Sequence, residues 1–419
     1  MLLLKAHPDV DFSRELIVAC SKNLANDAQS EGSRAKYLYP LIKRTRQRAL
    51  IEKTVLQKLK KKKSDSSDLQ QLCDLALLMY KGGNAKAREI FLQRFDKSFH
   101  EDYEFCGEEQ ILKMDGLPGL FRLAGKLGKV PKEDRWMYEY RWYIDELQDA
   151  NPHLQVYAEL ETAAETNPDI NLYYRFISAI EPFKKSRRKV PPAYTVAELE
   201  EIINRPNKRA VFKLDRCLKM KQEEIAAVAR NFLDEKKKFR KFKYLRFFYA
   251  VKFPFDYQAL MQIARGRPNF KTGEVQNAVL ALSHFSGDDI RALALKKIST
   301  TRIPCDYLHL LVSNYKAGDA GILLEIIGRA RNFDEVHLLV QGIIAIYKAN
   351  PGPDCKLPLE AMYHSMNCSL HRRDLVKLLL DNHVLSEQIV QELAYDSHED
   401  LRKLYRSIQR QRRRAAANA

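Results

Sequence analysis

Cys355, His364, Cys368 and His371 form the densest set of metal-capable side chains in the chain. Thiolate sulfur and imidazole nitrogen are sound zinc ligands, and Cys368-x2-His371 is compact enough to chelate. The remaining intervals are irregular for a structural zinc site. His364 and Cys368 stand i, i+4, as they would on one helix face. A buried thiol with loop histidines accounts for the same residues, so the expectation is no structural metal and no cofactor.

Residues arranged for other chemistry are scarce. There is no Gly-x-Ser-x-Gly, no phosphate-binding loop of the Walker type, no His-Glu-x-x-His and no Gly-x-Gly-x-x-Gly. Gly125-Lys126-Leu127-Gly128-Lys129 is too short to cradle a phosphate and reads as a helix end. Glu108-Glu109 and Glu200-Glu201 are adjacent pairs, and adjacent residues on a helix project about 100° apart, so neither forms a catalytic dyad. No catalytic residue is assigned, and a non-enzymatic role is expected.

Charge is the stronger signal. The 419 residues carry a formal net charge of +17. Four segments hold far more than that: 43–63 (+9), 184–189 (+5), 236–252 (+8) and 402–414 (+7), which leaves the rest of the chain net acidic. Discrete basic blocks on an acidic body attract anions. Segment 236–252 mixes its cations with aromatics: Phe239, Phe242, Tyr244, Phe247, Phe248 and Tyr249. Such a mixture can stack bases and neutralise phosphates. The spacing of Phe239, Phe242, Leu245 and Tyr249 reads instead as a core stripe, with Lys237, Arg240, Lys241, Lys243 and Arg246 on the outer face. These five, with Lys184, Lys185, Arg187 and Arg188, are the candidate anion- and partner-binding residues. Trp136, Tyr138, Tyr140, Trp142 and Tyr143 form a second aromatic cluster, which fits either a core or a groove.

The elements that must position these residues are helical nearly throughout. Residues 66–81 place Leu69, Leu72, Cys73, Leu75, Ala76, Leu78 and Met79 at 3- and 4-residue spacings, and Gly82-Gly83 stops the run. The same syntax recurs at Leu123–Gly128 and at Val275–Gly287. About two dozen helices of 10–17 residues are expected, with no convincing strand. Gly and Pro number only 16 each, too few for the turns of a β-sandwich. Seven scattered cysteines do not form a disulfide framework. No apolar run reaches the ~18 residues that cross a bilayer, and Met1–Lys5 is too short for a secretory signal. A cytoplasmic protein without membrane contact is expected. Helix pairs recur at 66–96, 271–299 and about 370–394; such pairs bury their apolar faces only by stacking on neighbours.

At Gly287-Asp288-Asp289-Ile290-Arg291-Ala292-Leu293-Ala294 the chain resembles the junction of a HEAT-type repeat. Gly83-Asn84-Ala85-Lys86-Ala87-Arg88 and Ser397-His398-Glu399-Asp400-Leu401-Arg402 resemble further copies. An acidic residue there caps a helix, and the Arg reaches a neighbouring repeat's carboxylate or carbonyl. Over its length the chain is similar to bacterial HEAT-repeat proteins with no assigned activity, through Glu31–Leu38, Asp115–Leu120 and Asp396–Arg402. The resemblance implies an all-α fold, a right-handed superhelix of stacked antiparallel helix pairs (a HEAT-like α-solenoid). Its regions would be N-terminal repeats over 1–130, central repeats with the aromatic and basic segments over 131–255, C-terminal repeats over 256–410, and a disordered basic tail over 411–419.

Three functions follow in order. The first is a scaffold that binds an acidic macromolecular partner, an acidic protein surface, through basic patches. The second is a nucleic-acid binder. The third is a DNA alkylation-base excision enzyme of HEAT-like architecture, for which Trp142 and Asp145 share a helix face.

Overall fold

A computed structural model describes residues 7, 9–25, 27–61, 66–97, 106–130, 141–179, 191–206, 211–267 and 273–417. The described residues form some two dozen α-helices and two short 3-10 turns, with no strand. None of these helices is long and apolar enough to cross a membrane. The chain divides into two compact units, Met1–Ser186 and Arg187–Ala419. The central region expected over 131–255 is therefore shared: Tyr143 to Ile177 belong to the first core, and Tyr194 to Phe253 to the second. Aromatic and basic composition marked that region as one, but packing follows apolar contacts rather than composition.

Helix ends follow their local chemistry. Ser66–Lys81 ends in a Schellman turn: Asn84 N–H bonds the Met79 carbonyl (3.0 Å), Gly83 N–H bonds that of Tyr80 (2.9 Å), and Gly83 has φ +95°. Ser369–Asp381 ends with the same two bonds, from Val384 to Leu379 and from His383 to Leu380. There the left-handed position is held by His383 (φ 59°), the only non-glycine residue with positive φ among those described. Other ends are closed by buried side chains. Gln71 donates to the carbonyls of Ala19, Cys20 and Lys22 at the end of Ser13–Ser21 and accepts from Arg34 N–H.

The expected pair over 66–96 is present as Ser66–Lys81 packed on Ala85–Lys97. In the second unit the pairing differs from the sequence expectation. Glu274–Leu282 packs mainly on Lys238–Ala250 and Gln258–Ala264, and Ser369–Asp381 packs mainly on Lys356–Ser365.

Two polar contacts recur. Asn314, Asn350 and Asn382 each donate to the carbonyl four residues back (Leu310, Ile346 and Leu378) at 2.8–2.9 Å. Each also ties to the preceding hairpin: Asn314 accepts from Gly287 N–H, Asn350 donates to the Val312 carbonyl, and Asn382 accepts from Gly352 N–H. The second contact uses the fourth residue of a helix. Arg88 in Ala85–Lys97, Arg291 in Asp288–Thr300 and Arg372 in Ser369–Asp381 clasp Asp115, Asp319 and Asp396 respectively. The first two are bidentate at 2.6–2.8 Å, and all three carboxylates are buried. Arg291 also bonds the Asn314 carbonyl. Arg402 instead reaches the carbonyls of Asp396 and Ser397.

Residues 411–417, expected to begin a disordered tail, continue the last helix, Glu399–Ala417. Arginine and alanine are good helix formers. Arg412 is also fastened to Glu387 by two bonds of 3.0 and 2.6 Å.

Candidate functional site

The segment 236–252 forms the helix Lys238–Ala250. Its first turn holds cations and no acid, which opposes the helix dipole. The opposition is met from neighbouring elements. Arg240 lies 3.0 Å from Glu235 and 3.5 Å from Glu200, and Glu200 also accepts from Tyr244 Oη and Asn231 Nδ2. Lys243 is 0% exposed. Its ammonium donates to the carbonyls of Ile203 (3.0 Å) and Arg205, closing the end of Val196–Asn204. Burial, with the Arg240 charge nearby, holds its pKa below the ordinary lysine value. Lys243 and Arg240 are therefore engaged inside the unit. Lys237 is exposed, and Lys241 and Arg246 are half-buried; none of the three has an ion pair among the described residues. Lys184, Lys185, Arg187 and Arg188 lie outside the described residues.

The apolar face of this helix differs from the expected stripe. Tyr244, Leu245, Phe247 and Phe248 are buried. Of the four predicted core residues only Leu245 is fully buried; Phe239 and Tyr249 are 42% and 51% exposed. Helices pack on this one from several sides, so its buried arc is wide and a single 3–4 stripe does not describe it.

An uncompensated cationic face lies on Glu399–Ala417. Arg406, Arg410, Arg413 and Arg414 are exposed and have no ion pair among the described residues. Their spacing of i, i+4, i+7 and i+8 puts them on one face. Their neighbours are occupied: Lys403 pairs with Glu399 and Asp400, and Arg412 with Glu387, whose carboxyl that contact lowers to about 2. In the first unit, Arg48–Lys61 carries exposed Lys53, Lys58, Lys60 and Lys61. The block's one acid, Glu52, is buried and holds Arg48 (2.7 Å) and Asn84 (2.8 Å).

Trp142 is 39% exposed at the start of Trp142–Ala150. Asp145 accepts from Tyr157 Oη (3.2 Å) and lies 4.0 Å from Arg141, whose guanidinium covers the Tyr157 ring. The carboxylate is thus engaged by an arginine and a tyrosine. Trp136, Tyr138 and Tyr140 lie outside the described residues.

The sequence-read set Cys355, His364, Cys368 and His371 is not gathered as such. Cys368 and His371 instead meet His337 from the helix Phe333–Ala349, with the three ligand atoms all within 4.8 Å of one another. Cys355 is buried elsewhere in the core, and His364 is exposed on Lys356–Ser365. His337 stands 31 positions before Cys368, about one repeat earlier. Only the repeat register could have brought it into view. Cys20, Cys73, Cys106, Cys217 and Cys355 are buried and Cys305 is half-buried; burial pushes Cys20 up to about 12 and Cys217 and Cys355 to about 11. All seven cysteines are free.

No family model, curated protein or solved structure matches the chain.

Proposed function

We propose that the chain is a cytoplasmic, non-enzymatic scaffold that binds an acidic macromolecular partner. Within each unit the helix pairs stack in the manner of a HEAT-like α-solenoid, a right-handed superhelix whose successive pairs are stapled by polar contacts. The recurring Arg–Asp clasps and the Asn contacts at 36- and 32-residue intervals support this arrangement. The observation that carries the binding role is the line of Arg406, Arg410 and Arg413 on Glu399–Ala417, exposed and without an ion pair among the described residues. Lys237 and Lys241, one turn apart, supply a second cationic patch at the start of Lys238–Ala250, and Arg246 lies on another face of that helix.

A nucleic-acid partner is the second reading. It is favoured by the exposed rings of Phe239 and Tyr249, which share a face of Lys238–Ala250 with Arg246, since aromatic faces next to cations stack bases.

The test is binding of a labelled poly-glutamate peptide to the full chain, followed by anisotropy. Arg406→Gln, Arg410→Gln and Arg413→Gln together should weaken binding about tenfold, from ~0.5 kcal/mol per exposed contact. A charge-matched control, Lys81→Gln, Lys86→Gln and Lys97→Gln, should leave it unchanged. Equal losses in both variants would mean that only net charge matters, and the proposed surface would fall.

A further inference from the structure

We propose that His337, Cys368 and His371 form a zinc site with three protein ligands and a fourth position open to solvent. The ligands come from two helices of successive hairpins. His337 is the fifth residue of Phe333–Ala349; Cys368 is the N-cap of Ser369–Asp381, and His371 is its third residue. Their ligand atoms lie within 4.8 Å of one another. Zinc–sulfur and zinc–nitrogen bonds of about 2.3 and 2.0 Å set tetrahedral ligand atoms roughly 3.5 Å apart. Closing on the ion therefore asks for about 1 Å of side-chain movement, which two half-buried imidazoles can make by rotation.

Several features prepare the cluster. Cys368 is 3% exposed, and its carbonyl accepts the first helical bond, from Arg372 N–H (3.0 Å). The sulfur thus stands at the start of the helix, where the dipole favours negative charge. The His371 ring stands at 72° to that of His337, with centroids 4.6 Å apart. On its other side, the amide of Gln341, one turn beyond His337, meets His371 Nε2 at 2.5 Å. With its oxygen turned to Nε2, the Gln341 carboxamide accepts the N–H of an imidazole that ligates through Nδ1, and such a contact holds the ligand in orientation. His337 is itself backed by the Phe333 ring at 5.6 Å.

The donor set selects the ion. One thiolate and two imidazoles suit zinc, and an all-oxygen cation such as magnesium finds no carboxylate in the cluster. Three protein ligands with the imidazoles half-exposed leave the fourth position to water or to a donor from solution.

The experiment uses the full chain, dialysed against a chelator and titrated with Co²⁺ as a spectroscopic probe. One equivalent should bind with a thiolate-to-cobalt charge-transfer band and tetrahedral visible bands, and one equivalent of Zn²⁺ should displace it. Cys368→Ser should abolish the charge-transfer band. His337→Ala should weaken Co²⁺ affinity at least about tenfold. Cys305→Ser, which changes the one half-buried thiol, should leave the spectrum intact. Circular dichroism checks that each variant remains helical; if Cys368→Ser does not fold, His371→Ala should weaken Co²⁺ affinity at least about tenfold, and unchanged affinity there overturns the site. Absence of the band, or a band that survives Cys368→Ser, overturns the site. A band of unchanged affinity in His337→Ala overturns the three-ligand assignment.

Discussion

Lys243 and Lys241 stand two positions apart in one basic run and do different things. Lys243 satisfies the buried carbonyl of Ile203 and the half-buried one of Arg205, whereas Lys241 is half-buried without an ion pair among the described residues. Removing a buried donor leaves its acceptors unsatisfied, at about 1–3 kcal/mol for each group. Lys243→Met should therefore lower the stability of the second unit by about 2–4 kcal/mol, and Lys241→Met by under about 0.5 kcal/mol. Chemical denaturation of both variants checks this; equal effects would remove the capping role. Glu108 offers a pH test in the first unit. Burial raises its carboxyl from 4.5 to about 7, opposed by backbone N–H groups and the Tyr143 hydroxyl. Because the folded value lies above the unfolded one, its contribution is fully present below about pH 4.5 and is lost as pH rises through about 7. Glu108→Gln should flatten the fall in stability between pH 5 and 7.5, roughly that window. An unchanged profile would show that Glu108 does not titrate there. At this scale the sequence revealed residue types and not their engagement. The exposed arginines of the last helix and the buried Lys243 look alike in a count of charges. The histidine that joins Cys368 and His371 lies a whole hairpin away.

Helices and their ends were legible because their signals are local. Gly82-Gly83 and the apolar spacing of 66–81 are written in consecutive residues, and the Schellman turn follows. The arginines at Arg88 and Arg291 were legible as staples, though their partners Asp115 and Asp319, 27 and 28 residues on, were not. What stayed hidden depends on neighbours: the buried face of Lys238–Ala250, the pairing of Glu274–Leu282, and the helix continuing to Ala417. The recurring Asn at 314, 350 and 382 was available in the sequence but carries no apolar period. One element-scale consequence is direct. His383 occupies the left-handed position that Gly83 holds in the first unit. An L-residue there costs roughly 1 kcal/mol, so His383→Gly should raise stability by about 0.5–1 kcal/mol. A fall in the denaturation midpoint would show that the imidazole makes a compensating contact.

For the whole molecule, the all-α class followed from periodicity and from the scarcity of glycine and proline. The division at Ser186/Arg187 falls inside the basic block 184–189, a charge run read for anion binding and not as the boundary between two apolar cores. Basic blocks on an otherwise acidic chain remain the feature from which function is argued, now sorted by use. Arg240, Lys243, Arg402 and Arg412 hold the fold together, while Arg406, Arg410, Arg413 and Arg414 face outward. The most direct measurement of the central claim is a competition: a labelled acidic peptide bound to the full chain, challenged at two salt concentrations with an unlabelled single strand and an unlabelled duplex. The account predicts salt-sensitive peptide binding that low-micromolar oligonucleotide does not displace. Displacement by either oligonucleotide, with log affinity falling against log salt by about 0.7 per phosphate for the single strand or 0.9 for the duplex, would contradict it and make nucleic acid the partner.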